Sequence, residues 1–261
     1  MRRAALIKKL EAKSAKVKDT RFGGRFATSG RVGYSTVPRT RGVYAKGDMK
    51  YFDTERSSTA LPASADWTGT EFPPNVGTPT TLVCPTVGSA INQRIGRDIY
   101  VHKISIKGIF AVPAQANQTA TDGGCLIRYA LVEDSQANST QCQGEQIFAA
   151  PTTAAATMSI SSHMSLANFG RFRILKDKMI KLDNPNLSWD GSNMEQQGMI
   201  KPFKLKHKFK KPCKVTFNAT NGGTISDVVN YTWTPIINAT NIDLAPVVVY
   251  NARVYYKETK Y

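Results

Sequence analysis

The residues from Lys201 to Lys211 read Lys-Pro-Phe-Lys-Leu-Lys-His-Lys-Phe-Lys-Lys, a two-residue alternation of cation and apolar or aromatic side chain. In an extended strand successive side chains point to opposite faces, so Lys204, Lys206, Lys208 and Lys210 share one face and Phe203, Leu205, His207 and Phe209 the other. The chemistry open to such a face is electrostatic, because ammonium groups in a row neutralise phosphates and release condensed counterions. A row of lysines also keeps an edge strand from pairing with other chains, and Pro202 and Pro212 suit either an edge position or a strand end. Spacing alone leaves both roles open.

A second concentration of cations lies at the start of the chain. Arg2, Arg3, Lys8, Lys9, Lys13, Lys16, Lys18, Arg21, Arg25, Arg31, Arg39 and Arg41 face only Glu11 and Asp19, so residues 1–44 carry +10 of the formal +16. Such an arm gains free energy wherever phosphates are dense, which makes nucleic acid the leading partner. Phe22, Phe26, Tyr34 and Tyr44 are interleaved with these arginines, a combination that can stack on unpaired bases or dock the arm onto the protein's own body. The same cluster has the character of a nuclear-import signal, which implies a host import receptor as a further partner. A mitochondrial transit peptide competes, but the lysine-heavy content and the two acids weigh against it. Leu6, Ile7, Leu10 and Val17 support only a weak amphipathic helix, and residues 21–44 have too little apolar periodicity to offset their ordering entropy. The arm is expected to order on a partner.

Enzyme signatures are missing. His102, His163 and His207 stand far apart, and the chain holds no H-E-x-x-H, G-x-S-x-G, Walker or Rossmann glycine pattern. Asp53/Glu55 and Glu133/Asp134 are close carboxylate pairs of a kind common in loops and at strand ends. Cys84, Cys125, Cys142 and Cys213 are widely spaced without a C-x-x-C pair and are expected as reduced thiols in or near the core. No catalytic residue, metal ligand or cofactor is expected. There is no apolar run of membrane-spanning length and no secretory leader, so synthesis in the cytosol without a membrane partner is expected, and the Asn-X-Ser/Thr triplets at Asn117, Asn138, Asn186, Asn218, Asn230 and Asn238 read as loop composition.

Past the arm, the elements that must position these residues are strands. Residues 98–110 place Ile104, Ile106 and Phe110 opposite Lys103, Ser105 and Lys107, with His102 on the side of the isoleucines. Residues 245–257 set Val248, Tyr250, Ala252, Val254 and Tyr256 against Val249, Asn251, Arg253 and Tyr255. Residues 125–134 and 172–182 are rich in β-formers without clean alternation, and 49–54, 80–84, 213–217 and 231–237 are shorter candidates. Long polar connections at 62–79, 114–124, 134–169 and 184–199 argue against a simple meander. The expectation is an all-β chain: a basic arm over 1–44, then one jelly roll over 45–261 built from two packed four-stranded antiparallel sheets.

Several segments, in order, carry a likeness to a known family. They are Gly47-Asp-Met-Lys-Tyr-Phe-Asp-Thr54, Asn92-Gln-Arg-Ile-Gly-Arg-Asp-Ile-Tyr-Val-His-Lys-Ile-Ser-Ile-Lys-Gly108, Leu131-Val-Glu-Asp-Ser-Gln-Ala-Asn138 and Asn168-Phe-Gly-Arg-Phe-Arg-Ile-Leu-Lys-Asp177. Behind a basic arm, this order resembles the coat proteins of small circular single-stranded DNA viruses that encode a replication-initiation protein, in the geminivirus-like and circovirus-like group. The arm departs from many relatives in mixing Lys with Arg rather than carrying a denser arginine block. The resemblance implies a viral jelly-roll subunit, a closed icosahedral shell usually of sixty copies, packaged single-stranded DNA, and a life divided between virion and host nucleus. The rival from another class is a non-structural nuclear shuttle or movement protein that binds single-stranded DNA. Long loops suited to subunit contacts favour the coat protein.

Overall fold

Long-range strand pairing organises the chain. The computed structural model describes residues 49–64, 66–75, 81–111, 124–149, 159–183, 188–189, 194–195, 200–220, 222–240 and 245–258. The arm expected over 1–44 lies outside them. In chain order the strands are β1 (Lys50–Ala60), β2 (Asp98–Ala111), β3 (Gly124–Asp134), β4 (Phe172–Asp183), β5 (Ser188–Trp189), β6 (Met194–Glu195), β7 (Ile200–Thr216), β8 (Thr232–Ala239) and β9 (Val247–Lys257). Among the described residues the helices are short: α1 (Gly144–Ile147) and three single 3-10 turns.

The strands form a four-stranded sheet in the order β1-β9-β2-β7 and a three-stranded sheet in the order β4-β3-β8, with β5 and β6 paired apart from both. All these pairings are antiparallel. The three-stranded sheet gains a fourth member in a short segment beside β8: Glu71 bridges Ile236, the Phe72 N–H donates to the Pro235 carbonyl at 2.9 Å, and the Ile237 N–H donates to the Thr70 carbonyl at 2.8 Å. With that segment the pairing is nested, first pass with last, second with the pass before it, and so inward to β3 with β4. A nested antiparallel ladder rolled into two facing sheets is a jelly roll, and the chain is all-β in this form. Where two four-stranded sheets were expected, the second has three full strands and this one-bridge edge.

Between the sheets lies the main core. Ile104, Ile106 and Phe110 of β2, Val248, Tyr250 and Val254 of β9, and Phe203, Leu205 and Phe209 of β7 meet Ile127, Tyr129 and Leu131 of β3 and Trp233 and Ile237 of β8. Gly108 is the one residue that fits its place in β2, because a Cβ there would lie 2.3 Å from the Val249 carbonyl oxygen and 2.6 Å from the Phe203 ring. Its neighbours Phe203 and Tyr250 fill the space instead, and the Tyr250 hydroxyl donates to the Phe72 carbonyl at 2.6 Å.

Two local expectations are corrected. Residues 81–84 form no strand; Leu82, Val83 and Cys84 are buried as irregular chain, and Thr81 meets the Thr232 hydroxyl at 2.5 Å. The alternation of β2 is also broken at His102: Val101 pairs with Tyr256 and Lys103 with Tyr255, so one residue is extra. Ile99 and Val101 therefore face the core on one side of this bulge and Ile104 and Ile106 on the other, which a single period cannot do.

Candidate nucleic-acid interface

The four-stranded sheet buries one face and leaves the other open. Strand register aligns its outward side chains in rows: Lys208, Lys103 and Tyr255; then Lys206, Ser105, Arg253 and Asp53; then Lys204, Lys107, Asn251 and Glu55. β7 is one of the two edge strands, as its lysines and prolines allow, with Lys204, Lys206, Lys208 and Lys210 exposed and Phe203, Leu205 and Phe209 buried beneath. Lys210 falls in an irregular stretch of β7, between Lys208 and Cys213, that has no register partner in β2. Three of the four predicted lysines thus share the array, and the fourth extends beyond it.

β2 adds two cations, Lys103 and Lys107, which its alternation places on one strand face. Lys103 lies with its ammonium 4.5 Å from the centre of the Tyr255 ring, and Lys107 is exposed. Across the middle of the face lies a shallow depression of about 760 Å³, bordered by Lys107, Lys204 and Lys206 on one side and by Asp53 and Glu55 on the other. Arg253 stands between the two sides but is taken: it donates two 2.6 Å hydrogen bonds to Asp53 and stacks 4.4 Å over Tyr51. The Asp53 carboxylate pushes the Arg253 guanidinium above its ordinary value. No carboxylate pairs with Lys107, Lys204, Lys206 or Lys208 among the described residues. These four ammonium groups are left for solvent or for an anion.

The remaining predicted residues separate from this face. Phe22, Phe26, Tyr34, Tyr44 and the twelve arm cations lie outside the described residues. His207 points inward, edge-on to Phe209 at 4.6 Å, and burial lowers its pKa. His102 sits at the bulge, its pKa lowered by burial and then by Lys257. None of the four cysteines is in a disulfide, and burial pushes the Cys125 and Cys142 thiols up to about 11, away from reactive thiolate. Among the described residues no cluster of His, Cys, Asp and Glu is arranged to hold a metal, and no helix is long and apolar enough to cross a membrane.

The segments that carry the family resemblance do structural work. Asp134 accepts two hydrogen bonds from Arg171, at 2.9 and 2.8 Å, and Asp177 accepts two from Arg128, at 3.0 and 2.6 Å, both pairs joining β3 to β4 or the turn before it. Arg94 donates to the carbonyls of Pro85, Gly96 and Thr220, pinning the loop before β2. Glu133 accepts from the Trp233 indole and pairs with Arg173. Each of the carboxylates Asp53, Glu133 and Asp134 from the two predicted pairs thus has a cationic partner.

No family model matches the chain, and no curated protein matches it. Solved structures with some likeness include the T13 infectious bursal disease virus particle, 7% identical over 80% of this chain and 39% of that one, TM-score 0.21. A structure of deformed wing virus is 11% identical over 79% and 75% of the two chains, TM-score 0.23, and a 60-mer BFDV capsid protein 7% identical over 80% and 91%, TM-score 0.23. The chain spans about two fifths of the bursal disease virus chain. Scores this low lie well short of a shared fold, so the fold rests on the strand order above.

Proposed function

We propose that the chain is a capsid subunit: a jelly-roll body, residues 45–261, that self-assembles into a closed icosahedral shell and packages circular single-stranded DNA through a basic arm, residues 1–44. The observation that carries this reading is the coexistence in one chain of a jelly-roll strand order and an arm holding +10 of the formal charge. The long connections roof one sheet but leave apolar residues such as Leu166 and Phe169 exposed for contacts with other copies, and a subunit that presents different patches around several axes closes a shell. The arm supplies sequence-independent phosphate neutralisation, and the open lysine face supplies more of it. Sixty copies in a virion come with the family resemblance, and the host nucleus and recognition by an import receptor rest on the Lys/Arg cluster of the arm. Stacking of Phe22, Phe26, Tyr34 and Tyr44 on unpaired bases belongs to the same proposal.

Electron microscopy of the purified protein tests it. Uniform closed particles containing nuclease-protected DNA are expected. Monomers and dimers that bind DNA at every salt and pH tried, without closing, would overturn the shell and leave the shuttle or movement protein. Removing residues 1–44 should leave the body folded and yield empty or misassembled particles. Particles of the truncated chain with a full complement of DNA would remove the arm as the packaging element.

A further inference from the structure

We infer that the lysine half of the four-stranded sheet is a track for one single strand of nucleic acid, laid along β7 and β2 rather than across the sheet. Lys103 and Lys107 of β2 share its phosphates with Lys204, Lys206 and Lys208 of β7. This rests on the nucleic-acid-binding reading above and adds a path, two residues and a border to it.

The path follows from where charge changes sign. Along β7 the lysines recur every second residue, about 7 Å apart, and β2 runs beside it at about 4.8 Å with Lys107 opposite Lys204 and Lys103 opposite Lys208. A polyanion following the strands meets five cations in two adjacent columns. One crossing the sheet leaves them after two strands and reaches Asp53 and Glu55 on β1. A phosphate above β9 would lie about one strand spacing, about 4.8 Å, from that acidic row, inside the screening length of about 8 Å at physiological salt. Above β7 it would be three spacings away, about 14 Å, and screened from it. Arg253 and Asp53 neutralise each other, so a crossing strand gains no net attraction there and meets Glu55, which has no cationic partner among the described residues. Glu55 therefore acts as the kerb.

The border also favours a single strand over a duplex. Tyr255 flanks the track with the Lys103 ammonium over its ring, so an unpaired base that stacks there displaces Lys103 toward its own phosphate, a contact a paired base cannot make.

The test is lysine-acylation footprinting read by mass spectrometry on the full-length protein, with and without an oligo(dT) strand. Lys103, Lys107, Lys204, Lys206 and Lys208 should lose reactivity several-fold, while Lys176 and Lys178, exposed on β4 of the other sheet, keep theirs. The double substitution Lys103→Gln and Lys107→Gln should make the slope of log affinity against log salt shallower by about 1.4, two contacts at about 0.7 each. Equal reactivity of the five lysines with and without the strand, equal protection of the β4 lysines, or equal protection by a duplex of the same length would overturn the track. Closed, DNA-filled particles whose five lysines stay reactive would overturn it while leaving the capsid standing. Protected lysines on a chain that never closes into particles would do the reverse.

Discussion

The outer faces of the two sheets have opposite fates. On the three-stranded sheet, Ala130, Val132, Phe172 and Ile236 are roofed by Trp67, Ile147 and Phe148, delivered by the long connections. Trp67 stacks on Phe148 at 4.1 Å, and Gly144 admits α1 against the 67–70 turn because a Cβ there would strike Thr70 and the Trp67 carbonyl. Charge under this roof is paired: Arg128, clasped by Asp177 and by the carbonyls of Ile160 and Ser162 at 2.8 and 2.6 Å, lies against Trp67 and Phe148. On the four-stranded sheet Lys107, Lys204, Lys206 and Lys208 are exposed, and no carboxylate pairs with them among the described residues. Desolvation explains the difference. A charge taken out of water must be matched by partners, whereas a solvated one needs none and stays available to a ligand.

The difference can be broken most forcefully at Arg128. Arg128→Ala strands two carbonyls and removes the partner of both oxygens of Asp177, which is about a third exposed, and should destabilise the body by about 3 kcal/mol in urea unfolding. A loss below about 1 kcal/mol would mean that the roof is not held by its charges.

Gly108→Ala attacks the open sheet from its buried side. The new methyl meets backbone, which has little room to yield, so a loss of about 2 kcal/mol is expected, read from the same unfolding curves. An unchanged midpoint would show that β2 and β9 can part freely.

Replacing Lys204, Lys206, Lys208 and Lys210 together with Gln should leave stability within about 0.5 kcal/mol per site, since these side chains are solvated. DNA retained per subunit, from the ratio of absorbance at 260 and 280 nm, should fall. If stability fell as it does for Arg128→Ala, the contrast between the faces would be lost.

The smallest expected effect is in pH. His102 and His207 have folded pKa values below their ordinary 6.5, with burial the main cause in both. The unfolded chain therefore binds their protons more readily. Their stabilisation is complete above about pH 6.5 and is lost as the pH falls below it toward their folded values. The thermal midpoint should drop on acidification through that window, and His102→Gln should flatten part of the drop. A midpoint that rises on acidification would contradict the buried placement.

Much of this was legible in the residues themselves. The alternation of β9 and of the lysine strand is local, because a period of two sorts side chains onto two faces whatever the strand pairs with. β3 read less cleanly for a physical reason: both its faces are buried, so Arg128, Ala130 and Val132 lie as deep as Ile127, Tyr129 and Leu131. The His102 bulge, the irregular packing of Leu82 and Val83, and the single bridge of Glu71 to Ile236 depend on partners far along the chain and left no periodic trace. The same holds for the candidate site. The row at 204, 206, 208 and 210 was visible in sequence, but Lys103 and Lys107 join it only when β2 pairs with β7, and Arg253 is withdrawn only when β1 brings Asp53, 200 residues away, beside it. Spacing determined which side chains share a strand face; long-range register, a property of the folded chain alone, decided which faces share a sheet and which charges remain free.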